Sequence, residues 1–239
     1  VAPDMRGRGK SANDPDPAHY VPAVYAQDVI TLMDRMEIAK AVFVGTSMGG
    51  LITLVIAANA PERIAASVLN DVGPKLSAEG LSRIAGYVGA AKGPAATIVQ
   101  PVENWVEAAE AVRAVNGSAF PGRLDDEAFW LAFARRTFRE REDGALEFDY
   151  DPHIALAFAD FDEGTPPPDL TPLFDALAQK PMLSVRGALS DLLPEDAAAF
   201  MIQRKPDLHA VTVENIGHAP MLDEPEAWDA LLDFLARLD

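Results

Sequence analysis

The chain contains no cysteine, which excludes disulfides, thiolate nucleophiles and cysteine metal sites. It is also poor in positive charge. Twenty Lys and Arg stand against 37 Asp and Glu, a formal net charge of −17. A surface of that sign repels phosphate backbones and anionic headgroups, so neither nucleic acid nor a membrane surface is expected as a partner. No apolar run approaches the roughly 20 residues that cross a bilayer. The apolar run Leu51 to Ala60 is too short and reads as a buried helix. Only four histidines occur, with no H-E-x-x-H and no paired spacing, so no metal and no cofactor is expected. A phosphate-cradling GxxxxGK[ST] is missing too; Arg6-Gly7-Arg8-Gly9-Lys10-Ser11 lacks its spacing and a following helix. The absence of cysteine fits a cytoplasmic location.

What is present is enough apolar material for a sizeable core: 49% of the 239 residues are hydrophobic. Strand-like runs stand at Ala41 to Val44, Ala66 to Leu69 and Met182 to Val185, with a more alternating one at Ala210 to Val213. Helical patterns lie between them. Tyr20 to Met36 has apolar residues near 3.6 spacing, and Glu224 to Leu238 reads as an amphipathic closing helix. Alternating strands and helices predict an α/β fold with a mostly parallel sheet covered on both faces.

The region from Gly73 to Leu173 differs. Seven of the eleven phenylalanines fall between Phe120 and Phe161, and its only strand signal is Leu146 to Tyr150. It reads as an inserted helical cap, returning through the stiff connector Thr165-Pro166-Pro167-Pro168-Asp169. The expected division is therefore core over 1–73, cap over 74–173 and core again over 174–239.

The chemistry centres on Gly45-Thr46-Ser47-Met48-Gly49. A short β-type run precedes this G-x-S-x-G and an apolar helical run follows it. That is the context of a nucleophile elbow, a serine on a sharp strand-to-helix turn. Gly45 and Gly49 are expected to lack side chains so that strand and helix can pass. The competing reading is a glycine-rich turn with no chemistry.

A serine hydroxyl needs a base, and the base needs an orienting acid. His19, His153 and His209 read as surface or capping residues. His218 follows the last strand and precedes the last helix, at the sheet edge where catalytic groups gather. For the acid, Asp191 and Asp71 both follow strands and both keep the order Ser, Asp, His; Asp196 is a weaker third.

Four segments carry a family likeness: Pro3-Asp4-Met5-Arg6-Gly7-Arg8-Gly9-Lys10-Ser11, Gly45 to Gly50, Arg186-Gly187-Ala188-Leu189-Ser190-Asp191 and Gly217-His218-Ala219-Pro220. In this order they resemble the α/β-hydrolase superfamily, closest to its small capped esterases, enol-lactonases and carbon–carbon bond hydrolases. The resemblance implies a Ser47–His218–Asp191 triad, because the family's triad acid lies in the segment like Arg186 to Asp191. Some members carry the acid after the earlier strand, which keeps Asp71 open. It implies the Met48 backbone N–H as an oxyanion-hole donor. It also implies first strands, and a second oxyanion donor, on a missing N-terminal segment of the same protein. The chain alone is expected to fold poorly, with a sheet edge laid bare.

The implied activity is cleavage of a small ester, lactone or related carbonyl compound. The aromatic cap implies an apolar or aromatic small-molecule substrate. Carbon–carbon hydrolysis of a vinylogous diketone and non-catalytic ligand binding are the alternatives. Among weaker features, Arg135 to Arg141 reads as a solvated helix face paired with Glu140, Glu142 and Asp143. Phe129 and Phe133 read as cap packing, and Asp4, Arg6 and Ser11 as fixing a loop.

Overall fold

The computed structural model describes residues 1–88, 102–158, 164 and 166–238; Phe161 and Thr165 lie outside them. Contacts divide the chain into two compact units, Pro22–Leu81 with Glu163–Asp239, and Val1–Val21 with Ser82–Asp162.

The first unit holds a four-stranded parallel sheet. Its strands are β1 (Ala41–Thr46), β2 (Ile64–Asn70), β5 (Met182–Gly187) and β6 (His209–Val213), in the order β1-β2-β5-β6. Position in the sheet explains the burial. Central β2 and β5 are buried at all but one position each, while burial along outer β1 and β6 alternates. Parallel neighbours need crossovers, here supplied by α2 (Met48–Asn59), α6 (Thr171–Asp175) and α7 (Glu195–Arg204). Ala66, Val68, Leu183, Val185 and Val213 form one core cluster with Ala227, Ala230 and Phe234 of α8 (Pro225–Ala236).

Helix α2 is apolar almost all round, and Ile52, Leu54, Ile56 and Ala57 are buried. A helix of that composition belongs in an interior, and α1 (Pro22–Arg35) and α6 pack against it. Strand β1 is the exception to full coverage. Val42 is 36% and Val44 50% exposed, and no strand among the described residues pairs with its outer edge. No helix among the described residues is long and apolar enough to cross a membrane.

The second unit carries most of α3 (Ala78–Val88), α4 (Trp105–Asn116), α5 (Glu127–Thr137) and an antiparallel pair, β3 (Phe138–Glu140) and β4 (Leu146–Phe148). Helix starts are set by capping side chains. Asn104 Oδ1 accepts from Val106 and Glu107 N–H at 3.0 and 3.1 Å, and Asp126 Oδ1 accepts from Phe129 N–H at 3.0 Å. Phe120, Phe129, Trp130 and Phe133 pack as one aromatic cluster, with Phe129 and Trp130 edge-to-face at 4.9 Å.

The expected helical face from Arg135 to Arg141 is not formed. Helix α5 ends at Thr137, so only Arg135 and Arg136 are helical. Arg139 lies on β3 and meets Glu147 across the strand pair at 2.8 Å, while Arg141 pairs with Asp143 at 3.0 Å.

Residues Val1–Val21 belong with this helical unit rather than with the sheet, unlike the division expected over 1–73. The cause is backbone pairing over a long sequence separation. Gly9 N–H donates to Asp149 O at 2.9 Å and Asp151 N–H to Gly7 O at 2.7 Å. The Tyr20 hydroxyl donates to buried Asp151 at 2.5 Å. Within the loop itself, Lys10 N–H donates to Asp4 Oδ2, Ser11 Oγ to Asp4 O, and Arg6 pairs with Asp14.

Burial acts to raise the Asp151 pKa, but hydrogen bonds from Tyr20 and His153 outweigh it and hold the carboxyl below its ordinary 3.8. A depressed carboxyl contributes stability above its ordinary value and loses it as pH falls through the lower folded value. Tyr20→Phe is therefore expected to move the acid-unfolding midpoint, followed by circular dichroism, toward higher pH. An unmoved midpoint would remove this bond from the loop's support.

Candidate active site

Strand β1 ends at Thr46 and α2 begins at Met48, so Ser47 alone makes the turn. Its backbone sits at φ 49° and ψ −111°, a strained region for a side-chain-bearing residue, costing about 1–3 kcal/mol. The surroundings over-determine it. Ser47 N–H donates to Asn70 O at 3.0 Å, and Ser47 O accepts from Gly50 and Leu51 N–H at 2.9 and 3.1 Å.

Close approach makes two glycines necessary, and they are not the expected pair. A Cβ at Gly45 would lie 2.4 Å from Gly49 C, and one at Gly50 would lie 2.2 Å from Val72 Cγ1. A Cβ at Gly49 would meet nothing within 4 Å. Gly45→Ala must displace backbone, so a loss of about 3 kcal/mol is expected, at the upper end for overpacking. Gly49→Ala should be close to neutral. Paired thermal melts check this; equal midpoints would contradict it.

His218 lies beyond the end of β6. Its Nε2 is 2.9 Å from Ser47 Oγ, and its Nδ1 is 2.7 Å from Asp71 Oδ2. The His218 side chain is 6% exposed and that of Asp71 0%. Asp71 follows the last residue of β2 directly. Ser47, Asp71 and His218 thus all stand at the carboxyl ends of parallel strands. The register Thr46↔Asn70↔Val185 brings these ends level, and Asp71 N–H donates to Val185 O at 2.7 Å.

The carboxylate on His218 is Asp71, which corrects the expectation of Asp191. Both ring nitrogens of His218 are engaged, and neither meets Asp191. The segment from Arg186 to Asp191 serves Asp71 instead. Gly187 N–H donates to Asp71 Oδ1 at 2.9 Å, and Ser190 Oγ–H to Oδ2 at 2.6 Å. Three donors thus surround one fully buried carboxylate, the condition under which a buried charge is tolerated. Arg186 fixes this segment through Nε to Leu193 O at 2.8 Å. Asp191 is half-buried one residue beyond Ser190, and Asp196 is exposed on α7 with its Oδ1 on Ala197 N–H.

Sequence reasoning missed the donor roles of Ser190 and Gly187, and it missed Asn70. Fully buried Asn70 donates through Nδ2 to Thr46 Oγ1 at 2.9 Å and Pro220 O at 2.8 Å, tying β1 to the segment after His218. A lone asparagine in an apolar strand was its only signal. The other histidines lie elsewhere: His19 Nδ1 on Asp14 at 3.0 Å, His153 Nδ1 on Asp151 at 2.8 Å, and His209 at the start of β6. Met48, expected to lend an N–H to an oxyanion, is the first residue of α2. It stands at the positive end of the helix dipole.

A hydroxyl, an imidazole and a buried carboxylate in one hydrogen-bonded line can move a proton off the hydroxyl and hold the resulting imidazolium. The sequence profile of the α/β hydrolase fold matches residues 1–225. A 3-hydroxybutyrate-oligomer hydrolase of Cupriavidus necator is 33% identical over 233 residues, covering 94% of this chain and 75% of that protein. A 2-hydroxymuconate semialdehyde hydrolase of Pseudomonas sp. strain CF600 is 38% identical over 89 residues, 36% of this chain and 31% of that protein. The crystal structure of an α/β hydrolase from Novosphingobium aromaticivorans has a TM-score of 0.87 and 45% identity, covering 98% of this chain and 79% of that one. The chain belongs to the α/β hydrolase fold family and is a hydrolase.

Proposed function

We propose that the chain is a serine hydrolase that cleaves small carboxylic esters through an acyl-enzyme on Ser47. The observation that carries this reading is His218, bonded through Nε2 to Ser47 Oγ and through Nδ1 to buried Asp71. His218 Nε2 takes the Ser47 proton as Oγ attacks the ester carbonyl carbon. Asp71 keeps the other proton on Nδ1 and stabilises the imidazolium. The Met48 N–H, on the residue after the nucleophile, donates to the oxyanion. The tetrahedral intermediate collapses, the carbon–oxygen bond to the alcohol breaks, and the alcohol leaves with the proton from Nε2. Water then gives a proton to Nε2 and attacks the acyl carbon. Ser47 regains its proton and a carboxylate is released.

The helical unit, with its aromatic cluster, is the part of the chain proposed to select a small apolar or aromatic substrate. The similarity, over 94% of this chain, to a 3-hydroxybutyrate-oligomer hydrolase supports an oxygen ester as the bond cleaved. The test is exposure to a fluorophosphonate during turnover of p-nitrophenyl butyrate. One adduct, mapped to Ser47, with loss of turnover in proportion, is expected. Tight ester binding with neither adduct nor turnover would replace this reading by a ligand-binding protein.

A further inference from the structure

Asn70 is the last residue of β2 and directly precedes Asp71. It is fully buried. Its backbone O accepts from Ser47 N–H at 3.0 Å. Its side-chain Nδ2 donates to Pro220 O at 2.8 Å, two residues beyond His218. On the other side of His218, Ile216 O accepts from Leu189 N–H at 2.8 Å. The stretch that carries the imidazole is thus pinned two residues before it and two residues after it, and the second pin is a side chain.

Pro220 O can only accept, so the group of Asn70 facing it is the NH₂. The amide oxygen then lies buried with no partner among the described residues. A buried acceptor without a donor is destabilising, so stability alone does not account for an asparagine here. Nδ2 also reaches Thr46 Oγ1 at 2.9 Å. Thr46 is exposed, where water can replace that bond, whereas Pro220 is buried.

We propose that Asn70 is a positioning residue for the triad. Its backbone holds Ser47 and its side chain holds the stretch behind His218, so one residue of β2 sets the 2.9 Å between His218 Nε2 and Ser47 Oγ. This role rests on the Ser47 mechanism proposed above. Asn70 touches no reacting atom. It governs how closely Nε2 stands to the proton it takes, and a misplacement of about 1 Å costs on the order of 10²-fold in rate.

The test is Asn70→Leu in the full chain, a side chain of similar size without the donor. On p-nitrophenyl butyrate, kcat per folded molecule should fall on the order of 10²-fold with KM near its native value. Fluorophosphonate labelling of Ser47 should slow by the same factor, because it needs the same proton transfer. The unfolding midpoint should move little, since one unpaired acceptor, Asn70 Oδ1, is exchanged for another, Pro220 O. Thr46→Val, which removes only the exposed acceptor, should keep kcat near native. Native kcat and labelling in Asn70→Leu would overturn the proposal, and so would a lower midpoint with kcat per folded molecule unchanged. A loss in Thr46→Val as large as in Asn70→Leu would also overturn it. Should Asn70→Leu not fold, Asn70→Ala is read in the same way. A further measurement needs no turnover. The His218 Nδ1 proton, in its 2.7 Å bond to Asp71, should give a far-downfield NMR resonance that exchanges with water faster in Asn70→Leu. A native chain that neither labels nor turns over would sink the ester-hydrolase reading by itself; an unchanged exchange rate would sink the role of Asn70.

Discussion

Ser47→Ala should lower kcat on p-nitrophenyl butyrate on the order of 10⁶-fold, the scale seen when a serine hydrolase loses its nucleophile. The reason is geometric. Ser47 Oγ is the hydroxyl bonded to His218 Nε2, at 2.9 Å. Fluorophosphonate labelling should vanish with the hydroxyl, while KM changes little. The side chain makes no capping bond to α2, so the unfolding midpoint should stay close to that of the native chain. This separates chemistry from folding in one variant. Turnover that persists in Ser47→Ala at more than a trace would remove Ser47 from the mechanism.

The second large effect belongs to Asp71. Asp71→Asn should reduce kcat on the order of 10⁴-fold, whereas Asp191→Asn should leave it near the native value. The carboxylate accepts from Gly187 N–H on Oδ1, and from Ser190 Oγ and His218 Nδ1 on Oδ2. A carboxamide can keep its oxygen toward Gly187, but its NH₂ group then faces two former donors. His218 answers by surrendering the Nδ1 proton and carrying it on Nε2. An imidazole protonated there cannot accept from Ser47. Buried as it is, Asp71→Asn should also lower the unfolding midpoint, so kcat is read per folded molecule. A larger loss in Asp191→Asn than in Asp71→Asn would reverse the assignment.

The two aspartates show where reading the sequence stops. Ser47 and His218 were legible because local pattern suffices for them: a strand, a single-residue turn and a helix for the first, a last strand end for the second. The central strands were legible because burial on both faces leaves short runs that are mostly apolar. Asp71 and Asp191 have the same local description, each just past a strand and each in permitted chain order. What separates them is the register that sets Asn70 beside Val185 and so brings Gly187 and Ser190 onto Asp71. No local pattern encodes that, and resemblance to the family pointed to Asp191, whereas the carboxylate that meets His218 is Asp71.

The end of α5 at Thr137 was hidden for a similar reason. The charges from Arg135 to Arg141 satisfy helical spacing, yet Arg139 finds its partner Glu147 across a strand pair. The place of Val1–Val21 rests on bonds to residues 149 and 151, far along the chain. Gly49 was misread because a motif names the positions of glycines but not which of them is crowded.

Strand β1 carries the nucleophile turn at one end, no strand among the described residues pairs with its outer edge, and Val42 and Val44 are exposed. A row of backbone donors and acceptors beside two β-branched side chains is a template for another strand. Brought together at high concentration, copies of these 239 residues offer each other matching edges. Their colloidal behaviour is then set by a contest between that edge and the mutual repulsion of chains carrying −17 each. Added salt, which screens the repulsion and leaves the edge untouched, shifts the balance toward association.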